Sequence, residues 1–235
     1  MENRSGCLVC NKEIVYGEDD EYECYYCGEI RTSNATCEDG HFVCDVCHSS
    51  SANDLIERFT TSSEIKDPLE MALVLLRSPQ VRIHGPEHHF LIPAVLLSSY
   101  YNLKEGEESS KKDAIAKARK RAEKVPGGFC GSHGNCGAGV GAGIFISLIT
   151  KATPLSDEGW RLSNLMTSKS LQRIAEAGGP RCCKRDTYIS IIEAVDFLKE
   201  NFGVEMDIKR DSFGCEFSSE NKECLRDMCP FFKNS

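Results

Sequence analysis

Fourteen cysteines and six histidines fall in two blocks along the 235-residue chain, and their spacing separates two kinds of chemistry. The first block runs Cys7-x2-Cys10, Cys24-x2-Cys27, Cys37-x3-His41, Cys44-x2-Cys47. Four ligand pairs supply eight donors, enough for two tetrahedral zinc ions with no open position. A Cys-x2-Cys turn presents both sulfurs to one ion, and a helix opening beside Cys44 lends its positive end to the anionic thiolates. The order alone leaves the pairing open: consecutive pairs share an ion, or alternate pairs interleave as in RING-like fingers. His48 is a spare imidazole beside the last ligand that can replace His41. A filled coordination shell does no chemistry, so this module reads as a scaffold or docking surface, stabilised by metal because so short a segment buries little core.

The second block is Cys130, Cys136, Cys182, Cys183, Cys215, Cys224 and Cys229, whose spacings form no zinc knuckle. "GGFCGSHGNCGAGVGAG" and "GGPRCCKRD" place thiols after glycines and before helical patterns. Glycine lets the backbone approach a ligand closely, and a helix start lowers the pKa of a thiol. Lys184 and Arg185 add positive charge. These positions suit an iron–sulfur cluster, [4Fe–4S] included, or thiol exchange, and the two stretches read as halves of one pocket. All seven cysteines are candidate cofactor ligands, with Cys182, Cys183 and His133 as candidate catalytic groups. Adjacent Cys182 and Cys183 do not easily ligate one small ion together, but they can serve one cluster and one substrate. The tail ends in Cys229-Pro230, as some ferredoxin motifs do, and its three thiols can complete a second cluster or cap the first. "RIHGPEHHF" adds His84, His88 and His89 as candidates for metal binding or proton transfer. The plainer account is that the Gly-Ala repeat permits close helix packing and that the histidines are core or surface residues.

Around these residues the chain predicts a mainly α protein: a small N-terminal zinc-ribbon or treble-clef-like module over 1–60, then a helical domain over 61–235. Helices are predicted in "DPLEMALVLLRS", with Asp67 as N-cap and Pro68 at the first helical position, and in "FLIPAVLLSSYYN", "SSKKDAIAKARKRAEKV", "CGAGVGAGIFISLIT", "SLQRIAEAGG" and "DTYISIIEAVDFLKENFG". "NDLIERF" reads as the continuation of a helix that begins near Cys44. No apolar run is long enough to span a membrane and no export leader is recognisable, so a cytoplasmic protein is expected, in which so many cysteines serve metal rather than disulfides. Eleven Asp and Glu against three Lys and Arg in residues 1–50 give that segment all of the chain's net charge of −8. Phosphate backbones repel such a surface, which argues against nucleic acid and for a protein partner at the acidic module.

The order Cys130, "NCGAGVG", Cys182-Cys183 resembles the redox-active family known by its motif C-GCAxxG-C-C, with Cys136, Gly137, Ala138 and Gly141 on or near the pattern. With "GPEHHFLIPAVLL" included, the chain also resembles an uncharacterised domain family of anaerobic archaea and bacteria. These resemblances imply anaerobic metal–sulfur chemistry. Three functions are expected to compete: an iron–sulfur or thiol protein of redox or sulfur transfer, an adaptor or assembly factor that delivers metal or sulfur to a partner enzyme, and an enzyme with Cys182 or Cys183 as nucleophile.

Overall fold

The computed structural model describes residues 7–10, 12–104, 106–210 and 213–233. The N-terminal module is one antiparallel hairpin, β1 (Ile14–Glu23) paired with β2 (Ile30–Cys37), followed by the short helix α1 (Asp45–His48). The hairpin's outer surface is acidic and solvent-exposed. Helix α1 does not run on into "NDLIERF": Ser49 to Ser51 break it, and the Ser51 hydroxyl accepts from Asp54 N–H to start α2 (Ala52–Ser62) afresh. A serine at this position satisfies an orphan helix donor, which favours a new helix over a continued one.

The rest of the described chain is helical: α3 (Pro68–Arg77), α4 (Glu87–Asn102), α5 (Glu108–Ala122), the single turn α6 (Phe129–Ser132), α7 (Gly137–Ile149), α8 (Glu158–Glu176) and α9 (Cys183–Phe202). Asp67 caps α3 as its sequence predicts, accepting from Leu69 and Glu70 N–H at 2.8 and 3.2 Å. Gly203, with φ of 63°, ends α9 in the left-handed conformation that glycine adopts without steric cost. Beyond α9 the tail wraps back in irregular turns and a 3₁₀ turn at Arg226–Met228. No described helix is long and apolar enough to cross a membrane.

The apolar helix α4 lies at the centre, packed on α2, α3, α5, α7 and α9. Its Pro93 has no N–H for the carbonyl of His89, one turn earlier, so that oxygen is released from the helix ladder. Gly141 of α7 approaches this carbonyl so closely that an added Cβ would lie 2.9 Å from the oxygen and 3.0 Å from Pro93 Cδ. On the opposite side of α7, Gly139 and Gly143 lie against Leu171 and Thr167 of α8. The Gly-Ala repeat therefore lets one helix touch two neighbours at backbone distance. That contact sets where α7 begins, and with it the position of Cys136.

The module is joined to this bundle. Tyr26 is fully buried, its ring edge-on to Phe59 of α2 with 5.6 Å between centroids, and Tyr25 stacks on the same ring. Arg77, at the end of α3, donates to Val9 O in the module and twice to the Glu216 carboxylate in the tail. Gly141→Ala tests the α4–α7 contact. Helix propensity alone makes this change favourable by about 1 kcal/mol, yet the clash is expected to reverse the sign and cost ~1–3 kcal/mol, read as a lower denaturant midpoint.

Candidate metal centres

Two sets of ligating atoms close up in the module, each within 4.8 Å: Cys7, Cys10, Cys37 and His41, and Cys24, Cys27, Cys44 and Cys47. The first and third pairs form one set and the second and fourth the other, so the ligand order interleaves across the hairpin. Cys10 and Cys37 sulfurs lie 3.7 Å apart, those of Cys27 and Cys44 3.9 Å apart. A tetrahedron with metal–sulfur bonds of about 2.3 Å has edges of roughly 3.8 Å, so the sets have the size of a single-ion site. His41 presents Nδ1 at 3.3 Å from Cys37 Sγ, while His48 is exposed and outside both sets.

Backbone donors stabilise the thiolates. Val9 N–H points to Cys7 Sγ, His41 N–H to Cys37 Sγ and Cys44 N–H to Cys24 Sγ, at 3.3 to 3.4 Å. Burial pushes the Cys7 thiol up to about 11, against these donors, and drives Cys47 higher still beside the Cys24 thiolate. Four crowded sulfurs of this kind resist ionising together, and a dication at their centre removes that penalty.

In the helical domain the two adjacent thiols part. Cys182 is the N-cap of α9 with extended backbone, φ −141° and ψ 101°, whereas Cys183 already begins the helix. Cys182 lines a tight cavity of about 20 Å³ together with Cys215, Cys224 and Cys229 of the tail. Each of three sulfurs receives a main-chain donor: Arg185 N–H at 3.5 Å to Cys182, Phe217 N–H at 3.4 Å to Cys215 and Arg226 N–H at 3.4 Å to Cys224. The Asn221 side-chain amide adds a donor to Cys182 Sγ at 3.4 Å. Burial pushes Cys215 up to about 11, and the neighbouring charges of Cys182, Cys229 and Cys224 act in the same direction. Among the described residues only the eight module ligands gather in threes within 4.8 Å, so these four thiols stand wider apart than one tetrahedral ion holds its ligands.

The wall of this cavity is cationic and incompletely paired. Arg185 Nη1 and Tyr188 Oη are buried with no hydrogen-bond partner among the described residues, and Tyr188 is fixed edge-on by Phe213 and Phe231. Lys184 is buried, donates to Leu76 O and Val81 O, and lies 4.5 Å above the Phe217 ring. Arg185 is one of the two cations the sequence placed beside the thiols, whereas Tyr188 and Asn221 escaped the sequence reading. Tyr188 lies six residues after Cys182 in the predicted helix, which was the available signal.

Cys183 faces a separate cleft with Cys130 and Cys136, where the starts of α7 and α9 converge. The one pocket expected from sequence is thus two, divided at the Cys182–Cys183 peptide. Asp186, unnoticed in the sequence, lines the cleft with its carboxylate 3.8 Å from Cys136 Sγ and paired to Arg185 at 3.0 Å. Burial pushes Cys136 up to about 12 and Cys183 up to about 11.

The histidines divide similarly. His84 and His89 line the cleft. His84 Nε2 is shared between Asn221 and Glu223, and His89 uses Nδ1 toward Val125 O. His88 also borders the cleft but has both nitrogens occupied: Nε2–H donates to Arg82 O at 2.9 Å and Nδ1 lies 3.0 Å from the Thr187 hydroxyl. His133 is exposed, stacked on Phe129 at 4.1 Å and bonded to Ser132, and lines neither cavity.

A model for a family of unknown function, DUF5714, matches residues 56–232, which include all seven cysteines of the second block. No curated protein and no solved structure matches the chain.

Two outcomes are expected. The purified protein carries two zinc ions, and Cys24→Ser halves the content by atomic absorption. Burial, with the charge of Lys184 second, depresses His88 to about 3 from its ordinary 6.5. Between those values the unfolded chain binds a proton that the folded chain does not, so stability falls as pH falls, by up to ~1.4 kcal/mol per pH unit. Denaturant titrations between pH ~4.5 and ~6.5 should show a shallower slope in His88→Gln than in the wild type.

Proposed function

We propose that the chain, which belongs to the DUF5714 family of unknown function, is a metal–sulfur protein whose tail cavity holds an iron–sulfur cluster for redox or sulfur transfer. Four thiols, one from the start of α9 and three from the tail, lining one cavity is the observation that carries this reading. Cys182, Cys215, Cys224 and Cys229 supply the four-thiolate set that a [4Fe–4S] centre takes. Their spread favours a cluster over a mononuclear ion, because the ligands of a cubane sit outside its four corners rather than around a single atom. When bound, such a group accepts and releases one electron at a time.

The protein's own residues fit the charge of that group. Main-chain N–H donors to three sulfurs stabilise the thiolate form. Arg185 Nη1 and Tyr188 Oη, buried and unpartnered, are donors poised for an anionic guest, since leaving such groups without a partner is costly. Phe217, Leu225 and Phe231 keep water from the cavity and so hold solvent off the sulfurs.

The zinc module takes a structural role in this reading. Its acidic hairpin leaves Tyr16 and Ile30 exposed among carboxylates, a surface suited to docking a protein partner with a basic face. Anaerobic reconstitution with iron and sulfide tests the proposal: Cys215→Ser and Cys224→Ser each lose about four iron atoms relative to the wild type and keep both zinc ions. Iron content unchanged by either substitution would falsify the assignment.

A further inference from the structure

The cleft on the other side of the Cys182–Cys183 peptide is a second thiol site that the tail reading does not use. Its thiols come from three elements: Cys130 from the turn α6, Cys136 from the N-cap of α7 and Cys183 from the first residue of α9. The cleft measures about 230 Å³, and Gly127, Gly128 and Gly137 form part of its wall. Gly128 holds φ of 85° to turn the chain into α6, a conformation that side chains with a Cβ seldom adopt.

We infer that Cys130, Cys136 and Cys183 hold a second iron–sulfur cluster, whose fourth iron is open to a small ligand entering the cleft. No three of these sulfurs lie within 4.8 Å of one another, in contrast to the closed zinc sets of the same chain, so the space between them exceeds that of one tetrahedral ion. A disulfide requires sulfurs about 2.05 Å apart, and all three thiols are free in the structure. The starts of α7 and α9, helices of 13 and 20 residues, both open on the cleft and place positive dipole ends beside the thiolates.

Arg181 lines the cleft, and the Asp186 carboxylate that shares it is paired to Arg185. Among the described residues no fourth thiol lines the cleft, so a four-iron group keeps one iron without a cysteine, as catalytic metal sites keep one position open. The Arg181 guanidinium favours a small anionic lone-pair donor for that position.

The experiment uses the full chain reconstituted anaerobically with ferrous iron and sulfide, with zinc content and far-UV circular dichroism as folding controls. The wild type is expected to hold about eight iron atoms, Cys136→Ser and Cys130→Ser to lose half, and Cys215→Ser to lose the other half. Cys130 sits on an exposed single turn, so its variant decides the matter if Cys136→Ser misfolds. About four iron atoms, indifferent to Cys130→Ser and Cys136→Ser but lost with Cys215→Ser, overturn this inference and leave the tail site standing. The reverse pattern sustains it and overturns the tail site. Cyanide is the probe of the open position: it should shift the electron paramagnetic resonance spectrum of the reduced wild type and leave Cys136→Ser unchanged. A wild-type spectrum indifferent to cyanide, or a Cys136–Cys183 disulfide found by mass spectrometry in the reconstituted protein, overturns the assignment.

Discussion

The arrangement of sulfur in the helical domain depends on a change of backbone conformation across one peptide bond. Cys182 is extended and Cys183 is helical, so neighbouring side chains leave the chain in different directions and enter different cavities. The extended residue is also the N-cap, whose sulfur accepts Arg185 N–H in the place that a serine or aspartate oxygen commonly fills. The start of α9 thereby caps a helix and distributes thiols to two sites with the same two residues. Asn221 connects the sides further, since its amide donates to Cys182 Sγ while its carbonyl oxygen meets His84 at the cleft.

Charge follows the same division. The module concentrates the acidic residues at the surface, while Lys184 and Arg185 are buried directly behind the sulfur-lined cavity. Burying cations is expensive unless carbonyls, carboxylates or a bound anion compensate them. Lys184 meets two carbonyls, and Arg185 meets Asp186 and Pro180 O but keeps Nη1 unpartnered. The Arg77 link between Val9 and Glu216 ties the module, whose two ligand sets could hold metal, to the segment that supplies three thiols to the cavity.

Much of the scaffold was legible in the residues. Asp67-Pro68 announced the start of α3, Gly203 the end of α9, and the Cys-x2-Cys spacings the module. The Gly-Ala run had two readings, ligand approach and helix packing, and the structure shows packing for Gly139, Gly141 and Gly143 and, for Gly137, close contact with the His89 ring in the wall of the cleft. The reading of α1 and α2 as one helix failed because Ser51 was taken as part of a polar run rather than as a cap. Asp186 and Tyr188 were overlooked because each looks like an ordinary position of an amphipathic helix until its burial is known.

Sequence by itself determined the ligand inventory, the helical character of the larger part and the segregation of acidic charge, since residue type, local spacing and capping chemistry act over a few positions. The tertiary structure alone decided which ligands meet: the interleaving of the module's four ligand pairs, the joining of Cys182 to three tail thiols and the turning of Cys183 toward Cys130 and Cys136. Those pairings depend on contacts between segments far apart in the chain, made where α7 packs on α4 and the tail closes over α9, and no local pattern encodes a distance between them.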